Sequence, residues 1–496
     1  MQSRGVSQMA TARFTAILAL ALAGCMVGPN FHPPPPPTVS GYTPTPPPAQ
    51  TASANGPGGE AQRFRAGGDI SGQWWTLFRS PALNALVERA LQANPDLQSA
   101  QAALRVAREA YYAQRGAFWP TVGASYNVIR EQTSGTAAPP LTSNNDLFTL
   151  HTAQVSVSYT PDVFGGIRRQ TESVRAQAQA QRFQTEAAYL TLTSSVVVAA
   201  IQEAALREEL ATTRANIVEG RGVLDLLRRQ FAAGEISRAD VAAQETAVAQ
   251  SEQSLPPLEK QLAQQEDLIA DLTGRLPSEA TAERLDLSTL TLPRDLPLSL
   301  PARLVEQRPD VRAAEANLNV ASALVGVAIA NRLPNFALAA NAGGQATSIS
   351  QLFASGNQFW SIGGTIAQPI FEGGALLHRQ RGAQAAFDQA KTQYRSIVLS
   401  AFQNVADTLQ ALEADARLLQ AADAAERTAY LSVAIAKKQF ALGQVAAMVV
   451  LNAEQAHEQA RIARVQAQAA RYADTAALFQ ALGGGWWNRT ETSDVR

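Results

Sequence analysis

Apolar positions within residues 374–440 recur at Val398, Phe402, Val405, Leu409, Leu412, Ala416 and Leu419, in steps that alternate between four and three. A 3.5-residue repeat predicts a helix that supercoils left-handedly with a neighbour. No proline interrupts the stretch, and Gly382 is its only internal glycine. A second stretch, Gly166 to about Phe231, is also free of proline. At 1.5 Å per residue a helix of about 65 residues spans roughly 100 Å, more than an ordinary globular domain can use. Elsewhere the period changes to two. Val122, Ala124, Tyr126 and Val128 alternate with Gly123, Ser125 and Asn127, and Val155, Val157 and Tyr159 alternate with Ser156 and Ser158. With the polar loop Glu131 to Asp146 between them, these runs predict a strand hairpin over 121–160. Phe336 to about Gln345 and Phe359 to Gln368 predict a second hairpin over 335–369. Each run has roughly the 9–11 residues a tilted strand needs to cross a bilayer. A buried two-sheet sandwich would show the same alternation, but four strands enclose little core and the flanking helices cannot cover both faces.

The elements come twice in the same order, as in a duplicated chain. Asn94-Pro95-Asp96-Leu97 and Arg308-Pro309-Asp310-Val311 each open a helix, since proline and an acid suit a first turn. Pro120 and Pro334 precede the hairpins, and Gly165-Gly166 and Gly373-Gly374 turn each hairpin into a long helix. The long helices break at Phe231-Ala-Ala-Gly234-Glu235-Ile236 and Phe440-Ala-Leu-Gly443-Gln444-Val445. Ser237 with Asp240 forms a capping box that starts the first return helix. The expected organisation is a first repeat over 71–276 (equatorial helix, short helix, hairpin, long helix 166–231, return helix 237–272). A linker or equatorial segment follows over 277–307, then a second repeat over 308–485 (short helix, hairpin, long helix 374–440, return helix 446–482) and a tail over 486–496. Four membrane strands cannot close a barrel, because small barrels have about eight. Two chains would supply eight strands with a filled lumen; three would supply twelve and leave a channel.

Composition narrows the class. The 496 residues carry 41 Lys+Arg and 42 Asp+Glu, so no basic footprint for nucleic acid appears. The four histidines are scattered, with no metal-ligand spacing, and no phosphate loop or nucleophile elbow is present. No enzyme, metal or cofactor is therefore expected. Arg4 and Arg13 precede the apolar run Phe14 to Leu22, too short to span a bilayer and suited to a signal peptide over 1–24. The run ends in Leu22-Ala23-Gly24-Cys25, similar to a bacterial lipobox, in which the cysteine is acylated; an incidental cysteine after an ordinary signal is the alternative. Cys25 is the only cysteine. Met26 follows it in place of an inner-membrane retention aspartate, which favours the outer membrane. Residues 25–70 are expected to form a lipidated, proline-rich tether, in which the segment from Pro29 to about Gly59, with Pro33–Pro37, Pro44 and Pro46–Pro48, is an extended, poorly ordered tether or strap.

The chain resembles the TolC-like outer-membrane factors, in the NodT/OprM-type lipoprotein branch that serves multidrug efflux pumps. The residues carrying the resemblance are Cys25-Met-Val-Gly28-Pro29-Asn30-Phe31, Trp74-Trp75 with Phe78, Leu83 to Leu97, Arg308-Pro309-Asp310-Val311-Arg312-Ala313-Ala314-Glu315, Gly326 to Pro334, Phe371-Glu372-Gly373-Gly374 and Leu482-Gly483-Gly484-Gly485-Trp486. The resemblance implies a mixed α and β membrane protein. It would be a homotrimer with an outer-membrane β-barrel, four strands per chain and twelve in all, continued by a coiled-coil α-helical periplasmic tunnel. The implied partners are outer-membrane lipid, a periplasmic adaptor and an inner-membrane RND-type transporter. Docking at the tunnel tip would involve Gly234, Glu235, Ile236, Ser237, Gly443, Gln444 and Val445. The family closes this tip with charged links. Asp240 falls on a gate aspartate, for which helix capping is an equal reading. The usual basic partner falls on Val445, and an acidic pair falls on Val449 and Asn452. The expected gate is therefore Phe440, Val445, Val449 and Asn452 rather than an acidic ring. The implied function is a passive exit duct for drugs and small molecules. The alternatives are a type I secretion conduit for proteins and, in a different class, a lipidated periplasmic adaptor or scaffold.

Overall fold

The computed structural model describes residues 26–134, 147–279 and 285–489. The signal peptide, Cys25, most of the first hairpin loop, part of the linker and the end of the tail lie outside the described residues. The elements are β1 (Arg63–Ala66), α1 (Pro81–Ala93), α2 (Pro95–Arg115), β2 (Thr121–Gln132), β3 (Leu147–Tyr159), α3 (Gly166–Ala232), α4 (Arg238–Leu272), β4 (Asp295–Leu298), α5 (Pro301–Gln307), α6 (Pro309–Ala330), β5 (Asn335–Ala346), β6 (Gln358–Ala367), α7 (Ala375–Ala441) and α8 (Ala447–Ala481). The long helices α3 and α7 have 67 residues each, and α4 and α8 have 35 each. Two compact units are formed, one from 26–33, Leu104–Ala180 and Ala314–Tyr394, the other from Pro34–Ala103, Gln181–Ala313 and 395–489.

The first unit is built on an antiparallel sheet in the order β2-β3-β5-β6. Its register places Val122, Val157, Ala340 and Ile362 in one row across the strands, and Ala124, Val155, Ala342 and Trp360 in another. Between them runs a row of Gly123, Ser156, Asn341 and Ser361. Successive side chains point to opposite faces. One face is therefore apolar across all four strands and the other small and polar. The apolar face is bare: Val122, Trp360 and Ile362 are 70%, 78% and 79% exposed. Among the described residues β2 and β6 have no partner on their outer edges. Pro120 and Pro334 sit immediately before β2 and β5. At the foot of β3, Asp162 accepts the backbone N–H groups of Ile167 and Arg168, both at 2.9 Å, and so caps α3. Ile370 stands in the matching place before α7, where the turn relies on left-handed backbone at Gly373 and Gly374. In the first junction only Gly165 of the glycine pair is left-handed, and Gly166 is already helical.

In the second unit Trp74, Trp75 and Phe78 are buried, with Trp74 stacked on Phe479 at 5.3 Å and Phe78 against Tyr472 at 6.2 Å. The buried stripe of α7 runs Val398, Ala401, Val405, Leu409, Leu412, Ala416 and Leu419. Phe402, expected in that seam, is displaced from it by Ala401, one residue earlier, and packs on Tyr42 at 5.5 Å. Residues 51–62, which follow the Pro46–Pro48 run, are fastened to the body of this unit. Gln62 is fully buried, donates to the Pro293 carbonyl and to Thr475 Oγ1, and leads into β1, which pairs parallel with β4. Arg471 Nη2 holds the same segment by donating to Thr51 Oγ1 at 3.0 Å and the Glu60 carbonyl at 2.7 Å. The linker likewise contains β4 and α5, and the tail begins docked, with Asn488 Nδ2 donating to the Ile70 carbonyl. Buried polar atoms need partners, and these segments supply them to one another across long sequence distances.

Candidate functional site

Two helix-to-helix turns in the second unit form the candidate tip. They share one backbone solution. The Gly234 N–H donates to the Phe231 carbonyl and the Glu235 N–H to Gln230; the Gly443 N–H donates to Phe440 and the Gln444 N–H to Gln439. Each glycine is left-handed, at φ +78° and +69°, a conformation L side chains rarely adopt. The caps that follow differ. Ser237 Oγ accepts the Asp240 N–H while the Asp240 carboxylate accepts the Ser237 N–H and hydroxyl. Those bonds, led by the Ser237 hydroxyl, hold the Asp240 carboxyl below its usual range. Asp240 is thus engaged in capping. Ala446, in the matching place, offers no side-chain cap.

Of the expected gate residues, Phe440 packs with Ile236, Val223 and Ala447 on a cluster of Leu224, Leu227 and Val241, tying the second hairpin to the first. It therefore ties the two hairpins together. Val449 is exposed and Asn452 lies one turn further on the same helix, also exposed, whereas Val445 is half-buried. Gly234, Glu235, Ser237, Gly443 and Gln444 lie on the surface of the turns, joined there by the exposed apolar side chains of Phe231, Leu442 and Met448.

A feature missed in the sequence joins the two helices of the first hairpin. Arg207, Arg214, Arg221 and Arg228 of α3 pair with Glu266, Glu259, Glu252 and Glu245 of α4 at 2.6, 2.8, 2.6 and 3.0 Å. Both series step by seven, in opposite directions, as antiparallel coiled-coil flanks require. That spacing was available in the sequence as its signal. Among the described residues the hairpin formed by α7 and α8 shows no such series: Lys437–Glu454 at 3.0 Å and Arg464–Glu426 at 2.6 Å are its links, and they are not spaced by seven.

A family model described as outer membrane efflux protein matches residues 86–275 and 300–484, most of both halves. The chain belongs to the outer membrane efflux protein family. It is accordingly an outer-membrane component of export that extends into the periplasm, and family and fold alike are those of outer-membrane channels rather than enzymes. Similar family members include the pyoverdine export outer membrane protein OpmQ of Pseudomonas putida, 29% identical over 84% of this chain and 88% of that one. The toluene efflux pump outer membrane protein TtgC of Pseudomonas putida is 26% identical over 96% of both chains. Among solved structures the outer-membrane channel OprN superposes with a TM-score of 0.82 at 27% identity, over 93% of this chain and all of that one.

Proposed function

We propose that the chain is the passive outer-membrane duct of a tripartite efflux pump, assembled from three copies. The observation that carries this reading is the four-stranded sheet, apolar on one face, polar on the other and unpaired at β2 and β6. Each backbone group left unpaired in hydrocarbon costs several kcal/mol, so such edges must close on something. Edge β6 of one copy on edge β2 of the next gives a twelve-stranded barrel with the apolar rows toward lipid and the Ser156–Asn341–Ser361 row toward a water-filled lumen. The matched pairs of 67- and 35-residue helices, one set per half of a duplicated chain, then give six long and six returning helices as the tunnel wall. OpmQ and TtgC are named for pyoverdine export and toluene efflux; cargo here is a small molecule chosen by the pump, because the lumen row offers few discriminating groups.

The adaptor docks on the turns at Gly234–Ser237 and Gly443–Val445, where exposed apolar side chains stand beside free turn surface, and an RND-type transporter supplies the energy. The tip closes through Val449 and Asn452, with Phe440 supporting the hairpin behind them. A lipid on Cys25 adds a second hold on the outer membrane. Purified protein should run as a trimer in detergent and give single-channel currents in a planar bilayer. A monomer without currents ends the proposal. Currents that collapse with millimolar divalent cations would replace the apolar gate by an acidic one.

A further inference from the structure

Arg169, in the first turn of α3, is 1% exposed. A guanidinium stays charged in a protein, so its burial requires acceptors for its five N–H groups. Four bonds are made. Nε donates to the Val27 carbonyl at 3.0 Å, Nη2 to the Gly28 carbonyl at 3.2 Å and to Asn30 Oδ1 at 2.8 Å, and Nη1 to Glu172 Oε2 at 2.7 Å. Three of these acceptors belong to the few residues that follow Cys25. The same segment is tied by its backbone, the Val27 N–H donating to the Phe164 carbonyl at 3.1 Å. The fit leaves no space. Gly28 has φ +89°, and a Cβ there would fall 2.4 Å from Gly326 Cα; a Cβ on Gly326 would fall 2.8 Å from Arg169 Cγ.

The other strand-to-helix junction has none of this. Counting from Gly374 as from Gly166, the match of Arg169 is Leu377, 38% exposed. Counting from Pro95 as from Pro309, the match of Gly326 is Tyr112, 56% exposed. The arrangement therefore does not serve strand-to-helix turning in general. It occurs where the N-terminal segment lies.

We propose that Arg169, with Gly28 and Gly326, is a docking lock that fixes Met26–Asn30 against the start of α3, and through it the point from which the lipid on Cys25 enters the bilayer. This rests on the reading of Cys25 as acylated. Released, five residues could extend about 17 Å, roughly half the thickness of a hydrocarbon core, and the anchor would be uncoupled from the sheet it accompanies. Arg169 acts as a positioning residue, and lysine cannot replace it, because one ammonium does not reach acceptors spread along the segment.

The test uses the full-length protein matured in cells and reconstituted in phospholipid vesicles, as wild type, Arg169→Met, Arg169→Lys, Gly326→Ala and Leu377→Ala. Hydrogen exchange is followed in the peptide covering 26–31, in β3 and in the middle of α3. Exchange at 26–31 is expected to accelerate at least about tenfold in the first three variants and to stay unchanged in Leu377→Ala, with β3 and α3 protected throughout. Unchanged exchange at 26–31 in both Arg169→Met and Gly326→Ala overturns the lock, as does acceleration spread evenly over β3 and α3. The mass of the peptide carrying residue 25 tests the premise separately. An unmodified thiol in the wild type ends the lipid reading whatever the exchange shows.

Discussion

Ser237 and Ala446 follow turns of the same backbone, so they isolate what one hydroxyl contributes. Removing an N-cap side chain typically costs about 1 kcal/mol. Ser237→Ala should therefore speed hydrogen exchange in the first turn of α4 about fivefold, and Ala446→Ser should slow it in α8 by a smaller factor. Equal exchange in both helices of the wild type would show that the cap does not hold the tip. Asp240, with its carboxyl lowered by the Ser237 bonds, stabilises the cap above the ordinary carboxylate range and loses that effect only as pH falls below it, so this site is indifferent between pH 5 and 8. Asp415 on α7 behaves oppositely. Burial first, then the hydrogen bond and charge of Asp474 on α8, push its carboxyl up to about 7, against the pull of Arg471. Between about pH 4 and 7 the native state keeps a proton that the unfolded chain has lost, so stability falls as pH rises, by at most about 1.4 kcal/mol per unit. Asp415→Asn should gain on the wild type in thermal unfolding from pH 5 to 7.5, and a constant difference would reject the assignment. The Ser237–Asp240 box was legible because its partners are three residues apart. The Arg471–Thr51 and Arg169–Val27 bonds were not, because no local pattern links a buried arginine to a proline-rich segment far along the chain.

At the scale of elements, the rods were legible for a simple reason: 67 residues without proline leave a helix nothing to stop it, and the heptad names its buried side to within one residue. The short strands β1 and β4 were not, since four residues carry too little alternation to be seen and their partners are far apart in sequence. The arginine–glutamate ladder shows a second limit, since charges on a helix are read as solvated unless their spacing is compared between two helices. The ladder also brackets Pro256 and Pro257, which lie inside α4. Each proline lacks an N–H, so the carbonyls four residues earlier, at Glu252 and Gln253, lose their helical donors, at a cost of about 3 kcal/mol for an interior proline. Arg221–Glu252 and Arg214–Glu259 lie on either side of that break and hold both parts of α4 on α3. Such exposed pairs contribute about 0.2–1 kcal/mol each. Glu252→Arg should loosen α4 around the prolines in hydrogen exchange, and adding Arg221→Glu should restore most of the loss. The effect should shrink in high salt. If the double variant exchanges as fast as the single one, the pair does not splint the helix.

For the whole molecule, the proposed duct turns on which face of the sheet would meet lipid, and two adjacent residues of β3 test it. Ser156 and Val157 sit at nearly the same depth, yet pleating puts Ser156 in the polar row with Asn341 and Ser361, and Val157 in the apolar row with Val122, Ala340 and Ile362. If three chains close into one barrel, Val157→Arg places a guanidinium in hydrocarbon, at about 2–4 kcal/mol near the midplane for each copy. The three costs add in one assembly, so trimer yield from the outer membrane should drop severely. Ser156→Arg places the same group in the lumen. Its trimer should assemble normally, and the ring of three charges should shift ion selectivity toward anions and lower conductance. Both variants add the same charge and similar bulk one residue apart, so a general intolerance of the strand would harm them alike. Normal assembly of Val157→Arg with failure of Ser156→Arg would mean that the polar row faces outward, and a lipid-girdled duct could not be built from this sheet.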